Sequence, residues 1–381
     1  MGKRVVRGAL TTGATVLCAV ALSGCSLWGW GNNASGQIGD GTSAIGLNPS
    51  PAPAIFGNWA QLSAGEFHSC GIRFDSTLWC WGENSLGQLG SGLANDQALP
   101  VAVGPATWSS VDAGGVHTCG IRTDQSLWCW GLNVLGQLGD GTTIARSTPS
   151  PSGVGAWKAV TASNAGVVAA GSHTCAIKTA GTLWCWGDNS SGQLGDGTTT
   201  QRLSPVAVGS ATWLSVSAGA AHTCGIRSDR TLWCWGVNER GQLGDGTITA
   251  RTAPVQIGTA TWTSVSAGYE HTCGVRTDSS LWCWGSSSSG QVGDGAVVSR
   301  SSPVKIGSAT WRVVSAGGLH TCGIRTEGTL WCWGSNSVAQ VGIGAQSLIP
   351  STAPVQVGAL TRWHTVSSGF SHSNALLRPE A

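Results

Sequence analysis

The stretch HTCGIRTDQSLWCWG, residues 117–131, carries two cysteines ten positions apart. Polar and apolar residues alternate through both its halves, and Thr-Asp-Gln-Ser lies between them. Such a pattern predicts two short strands joined by a tight turn. With the turn centred on Asp124, Cys119 falls opposite Cys129 and Ile121 opposite Leu127. His117, Cys119, Ile121, Leu127 and Cys129 then share one face. Trp128 and Trp130 take the other, over Gly120 and Thr118. Large rings over small residues suit packing between sheets.

The stretch recurs. First cysteines stand at Cys70, Cys119, Cys175, Cys224, Cys273 and Cys322; their partners Cys80, Cys129, Cys185, Cys234, Cys283 and Cys332 follow ten positions later. The full unit reads W-x-x-V-x-A-G-x-x-H-T-C-G-I-R-T-D-x-x-L-W-C-W-G-x-N-x-x-G-Q-L-G-D-G-T, then P-V-x-V-G. It contains four β-like segments: a (as in WLSVSAG), b (HTCGIR), c (LWCWG) and d (PVAVG). Segment b occurs seven times, at His68, His117, His173, His222, His271, His320 and His372. Segment c also occurs seven times, starting with LWGWG at 27–31, and the last unit stops after a and b. Seven four-stranded units, one divided between the two ends, describe an all-β, closed seven-bladed propeller. The expected organisation is a leader over 1–24 and one propeller over 25–381. Its units are 59–107, 108–156, 157–212, 213–261, 262–310 and 311–362, with halves at 27–58 and 363–379.

W-G-x-N-x-x-G-Q-L-G and A-G-x-x-H-T, recurring in register from Leu27 to about Leu377, resemble the regulator of chromosome condensation repeat. That family folds as seven-bladed propellers. The cysteine pair departs from its best-known eukaryotic members. The founding member exchanges guanine nucleotide on a nuclear GTPase, which an exported chain would not meet. A plant ultraviolet photoreceptor of the family carries G-W-R-H-T around the a–b turn, where this chain has Tyr269-Glu270 or Phe370-Ser371. A secreted β-lactamase inhibitor protein with a similar propeller binds through aromatic loop residues, which implies inhibition of an extracellular enzyme as one role.

The cysteines could be staples, metal ligands, a redox pair or buried thiols. Of 14, Cys18 lies in the leader and Cys25 has another expected role; the remaining 12 form six pairs with none left over. Each unit offers only His, Cys and Cys to zinc, short of the four ligands of a structural site. A thioredoxin-type C-x-x-C is absent. Disulfides are the expectation. The pair is missing only where it would join the chain ends, at Asn374 and Gly29. Residues 1–25, with Lys3, Arg4 and Arg7 before an apolar run, form an export signal. Leu22-Ser23-Gly24-Cys25 resembles the lipobox of bacterial lipoproteins, implying a lipid on Cys25 and an exported, membrane-anchored bacterial protein; simple secretion is the alternative. The net charge of +2 falls to −1 without the three leader cations, so no basic field exists to hold nucleic acid.

All 21 tryptophans occupy three repeat positions, as core packing requires. The repeated histidines read as hydrogen-bonded structural residues. Asp140, Asp196, Asp245 and Asp294 precede Arg146, Arg202, Arg251 and Arg300 by six, which predicts loop-bracing ion pairs over calcium sites. Asn189 and Gln193 of N-x-x-G-Q are expected to bond loop backbone. Arg122 and its equivalents are expected to pair with turn acids such as Asp124. No G-x-S-x-G, H-E-x-x-H or P-loop occurs. No catalytic residue, metal or cofactor is assigned, and no enzyme is expected.

Copies share what packing demands, so binding is sought where they differ. The a–b turns differ most: Glu66-Phe67, Gly115-Val116, Ala220-Ala221, Tyr269-Glu270, Gly318-Leu319 and Phe370-Ser371, with an insertion giving NAGVVAAGS over 164–172 in the third complete repeat. Glu66, Phe67, Val116, Asn164, Val167, Val168, Tyr269, Glu270, Leu319 and Phe370 make the candidate patch for an unidentified protein or surface polymer, with the propeller monomeric. Folding of these side chains over the central channel is the competing reading. A lipid on Cys25 would hold the opposite face to the membrane and turn the a–b and c–d loops outward. A carbohydrate- or cell-wall-binding ring remains open, as does a hydrolase pocket between blades.

Overall fold

The structure, a computed structural model, describes residues 24–43, 47–54, 57–165 and 171–380. The alternating segments form antiparallel hairpins, and no described residue is helical. Blade 1 is the divided one. Its sheet runs from Trp363–Ser368 (strand a) through His372–Leu377 (b) and Ser26–Asn32 (c) to Leu47–Pro53 (d). The two ends of the chain thus meet as neighbouring strands, with Gly29 opposite Asn374 and Trp30 opposite Ser373. Blades 2 to 7 start at Trp59, Trp108, Trp157, Trp213, Trp262 and Trp311. The a strands contact one another all the way round and line a central channel. The propeller is therefore closed.

The register is the one the alternation predicts. Cys119 faces Cys129, Ile121 faces Leu127, Gly120 faces Trp128 and Thr118 faces Trp130. All six cysteine pairs are disulfides, with Cα atoms 4.1 Å apart. One feature differs from the reading of separate d and a strands. In four places strand d runs without a break into strand a of the next blade, giving 17-residue strands such as Gln97–Ala113. The glycine between them, Gly104, has φ of 62° and open space around its Cα. It turns the chain between blades without ending its extension.

The core lies between blades. The disulfide face of blade 2 (Cys70, Ile72, Leu78, Cys80) packs on Trp108 and Trp130 of blade 3, and the pattern repeats. Trp108 and Trp130 meet edge-on with centroids 5.6 Å apart. Their contact explains Gly120: an added Cβ would lie 2.8 Å from Trp108 Cε3. In blade 4 that position is Ala176, and the corresponding rings, Trp157 and Trp186, stand 6.2 Å apart.

Candidate functional site

Three circles of hydrogen bonds set the axis on which any site is built. The first uses the repeated histidine. Nε2 of His68, His117, His173, His222, His271 and His320 lies 2.8–2.9 Å from the hydroxyl of Thr118, Thr174, Thr223, Thr272, Thr321 and Ser373 in the next blade. His372 closes the circle on Ser69 at 2.9 Å. Thr118 donates its own proton to the Gln88 carbonyl, which also accepts from Trp130 Nε1. The hydroxyl must therefore accept from the imidazole, which fixes the Nε2–H tautomer. Burial, and then a neighbouring histidine, pushes His68, His117, His222, His271, His320 and His372 down to about 3. They are neutral, structural groups.

The second circle runs along strand a. Backbone N–H groups of Ala64, Ala113, Ala162, Ala218, Ala267, Ala316 and Ser368 donate to Ser367, Ser63, Asp112, Thr161, Ser217, Ser266 and Ser315 of the preceding blade. Six hydroxyl positions and one carboxylate serve alike. Burial pushes Asp112 up to about 6 despite bonds from Ala162, Ser63 and Thr161. The third circle is backbone-only and, among the described residues, joins the a–b turns save between blades 4 and 5, as in Glu66 N–H to Gly114 O and Phe370 N–H to Gly65 O.

These turns crowd the axis, and that decides how the candidate patch looks. Phe370 meets Tyr269 edge-on at 5.4 Å and Phe67 at 6.3 Å. The three rings form one half-buried cluster, and Leu319, on the blade that lies between those of Tyr269 and Phe370 in ring order, is half-buried too. Val116, by contrast, is 1% exposed, Glu66 7% and Asn164 9%; these three lie inward. Glu270 is half-buried and 3.9 Å from Arg240. Val167 and Val168 lie outside the described residues. Burial and then Glu83 push Glu66 up to about 7, and its Oε2 has no hydrogen-bond partner among the described residues. Burial, then Glu270 and Glu66, raise the Tyr269 hydroxyl above the ordinary phenol range. The far end of the insertion is held by Asp188, which accepts from Gly171 N–H at 2.7 Å. His173, beside Gly171 O and Asp188, is depressed only to about 4, burial outweighing both.

The c–d loops are braced as expected. Asp140, Asp196, Asp245 and Asp294 pair with Arg146, Arg202, Arg251 and Arg300 at 2.6–3.0 Å. Asn189 donates to the carbonyls of Thr198 and Thr200 and accepts from Leu194 N–H, while Gln193 accepts from Ser191 N–H. Around these braces sits a feature the repeat reading missed. Leu93, Val134, Ile144, Ile248, Val297, Val298, Ile343, Leu348 and Ile349 are all exposed, Leu348 at 91% and Ile349 at 81%. Seven belong to c–d connections and Leu348 and Ile349 to the start of strand d in blade 7, so one face bears an apolar rim around the aromatic centre. The signal was present: each is a large apolar residue in an otherwise Gly-, Asp- and Thr-rich loop. On the other face only Phe74 and Val154 are comparable among the described residues.

One expectation needs correction in part. Arg122 does not form a contact ion pair with Asp124; its guanidinium lies 3.5 Å from the Trp128 ring centroid, and Asp124 instead caps Ser126. Arg73, Lys178, Arg227, Arg276 and Arg325 sit over their tryptophans likewise, at 3.5–4.3 Å, while Arg325 also keeps the expected turn pair, with Glu327 at 4.0 Å. The partly exposed tryptophans therefore carry a cation on one face, where sugar stacking would need an open ring. Arg122 shares the face of Gly120 and Trp128, so the alternation alone could have shown this. Cys25 is fully buried. Its carbonyl accepts from Trp59 N–H at 3.3 Å.

No group of three or more metal-ligating side chains occurs among the described residues, and no helix there is long and apolar enough to cross a membrane. The repeat described as "Regulator of chromosome condensation (RCC1) repeat" matches residues 75–121, 180–226, 230–275, 278–324 and 327–376, and a second description of it matches six segments between 59 and 340. The mitochondrial RCC1 domain-containing protein RUG3 of Arabidopsis thaliana is 32% identical over 78 residues, 20% of this chain and 18% of its own. The Ultraviolet-B receptor UVR8 of the same plant is 32% identical over 92 residues, 24% and 21% of the two chains. The chain thus matches about a fifth of the length of these curated relatives. Prp20p of Saccharomyces cerevisiae, whose structure is described with its binding to Gsp1p and histones, superposes with a TM-score of 0.83 at 18% identity, over 94% of this chain and 93% of its own. Repeat, ring and divided blade agree: the chain belongs to the regulator of chromosome condensation repeat family.

Proposed function

We propose that this protein is a non-catalytic, exported scaffold that docks another protein on the face formed by its a–b turns and c–d loops. The observation that carries this reading is the asymmetry between faces. Nine exposed large apolar side chains ring the Tyr269–Phe370–Phe67 cluster on one side, and two lie on the other. An apolar rim of this extent around an aromatic centre suits a protein partner. Six disulfides support life outside the reducing cytoplasm. Removal of residues 1–24 would leave Cys25 at the opposite face, two residues from Leu27, with the docking face turned from the membrane.

Proximity labelling of the exported protein, followed by affinity measurement on the protein it identifies, tests the reading. Tyr269→Ala with Phe370→Ala removes the centre; Leu348→Ser with Ile349→Ser alters the rim. Loss of two anchors should raise Kd about 30-fold or more while the melting transition stays in place. Unchanged affinity in both double variants would exclude this face. A radiolabelled lipid precursor that fails to enter the wild-type protein but not a control lipoprotein would exclude the anchor.

A further inference from the structure

We infer that the channel end opposite the a–b turns is a binding site for a multiply charged phosphate-type anion. The central cavity holds about 860 Å³ and is lined by the a strands. The residue after the first tryptophan of strand a lines it in four successive blades, as Lys158, Leu214, Thr263 and Arg312. Lys158 of blade 4 and Arg312 of blade 7 therefore stand at equal height on opposite sides. Arg230, from the b–c turn of blade 5, and Arg378, just past the last strand, line the same cavity.

These four cations are treated unlike the others on that face. Arg73, Arg122, Lys178, Arg227, Arg276 and Arg325 are spent on tryptophan rings. Lys158, Arg230, Arg312 and Arg378 form no ion pair among the described residues. Three are fixed by neutral acceptors instead. Lys158 Nζ reaches Trp213 O at 3.2 Å; Arg312 reaches Trp363 O at 2.7 Å and His364 O at 3.1 Å; Arg378 donates to His364 Nδ1 at 3.0 Å. Each bond uses some N–H groups and leaves others to spare. Carbonyls orient these cations and leave their charge whole. Burial lowers Lys158, and burial and then Arg378 lower Arg312, so the cluster is held against both desolvation and mutual repulsion. The one acid in the described lining, Asp112, sits three residues further along strand a, roughly 10 Å away, and already accepts from Ser63 and Ala162. An anion at the cationic end would relieve both penalties. Placement across the channel favours a ligand with several charges over a single phosphate. Such chemistry exists in soluble polyphosphates and in the headgroups of anionic lipids, and Cys25 enters the fold on this same face.

Calorimetric titration of the exported form with orthophosphate, pyrophosphate and tripolyphosphate at low salt tests the site. Sedimentation with vesicles of phosphatidylglycerol, against phosphatidylcholine, tests the lipid source. Tripolyphosphate should bind more tightly than orthophosphate, and added salt should weaken it. Lys158→Gln should cost about tenfold in Kd; Lys158→Gln with Arg312→Gln should abolish binding, and Arg312→Lys should retain most of it. Should Arg312→Gln not fold, Lys158→Gln with Arg230→Gln replaces it. Dependence on Lys158 in the soluble titration alone assigns a soluble ligand, and in the vesicle arm a lipid. Absence of binding to every probe, or equal binding by wild type and Lys158→Gln with Arg230→Gln, overturns the site. Docking on the far face is unaffected by either result.

Discussion

Six blades carry a covalent staple and the divided blade carries none, although its register is the same. Gly29 stands opposite Asn374 as Cys129 stands opposite Cys119. In place of sulfur, Asn374 Nδ2 reaches across to Ser69 Oγ of blade 2 at 2.8 Å, and Ser69 also meets His372 and donates to Gln37 O. The cation over tryptophan is missing there too: Leu377 takes the place of Arg122, and Trp28 packs edge-on against Trp363 at 5.8 Å. Stapled blades are each self-sufficient hairpins. The seam holds by packing and by the same circles of hydrogen bonds that all blades share. The difference locates the closing of the ring in non-covalent contacts alone.

Acid strikes those shared contacts and should have the largest effect. Six circle histidines hold folded values of about 3 and His173 about 4, well below the ordinary 6.5. Their contribution to stability is present above pH 6.5 and lost as pH falls toward the folded values. Each costs about 2 kcal/mol between pH 7 and pH 5. Glu66 and Asp112, raised to about 7 and about 6, work the opposite way and recover part of this. The net loss should be on the order of 10 kcal/mol. Hydrogen exchange at pH 5 to 5.5 should open Ser26–Asn32 and His372–Leu377 before the stapled hairpin at 117–131. Uniform opening would erase the distinction between seam and staple.

Sealing the seam comes next in size. A Cβ on Gly29 would lie 2.6 Å from Ile38 Cγ2, and Leu89 and Leu138 hold the position of Ile38 in stapled blades. Gly29→Cys with Asn374→Cys and Ile38→Leu should form a seventh bridge. Its loop spans nearly the whole chain, so chain entropy gives on the order of 5 kcal/mol. A higher denaturation midpoint under oxidising conditions, reversed by reductant, is the expected result.

Removing one native staple should matter least. Cys119→Ala with Cys129→Ala opens a loop of only ten residues and should cost about 2–3 kcal/mol in chemical denaturation. A cost above that of breaking the seam would invert the comparison.

The fold was legible because each unit repeats its packing residues: tryptophans, paired cysteines and the H-T step all recur at fixed offsets. The circles were not, since most bonds join residues about 50 positions apart and the closing ones residues 303 apart, in sheets whose neighbour relation only the closed ring supplies. The patch was half legible. Phe67, Tyr269 and Phe370 converge, but Val116 and Glu66 turn inward, because a–b turns crowd the axis and a position can vary without facing water. Arg122 was misassigned by counting charges along the chain when the face it shares with Trp128 decides its partner. The four channel cations carry no repeat signature at all: two come from strand a, one from a turn and one from the tail.

The divided blade also sets the timing of assembly. A polypeptide made from its N-terminus holds Ser26–Asn32 with its inner edge unpaired until His372–Leu377 is synthesised. The six hairpins can oxidise one by one as they emerge, yet the circle stays open to the last few residues. A truncation near residue 362 would therefore leave correctly bridged blades that never lock together.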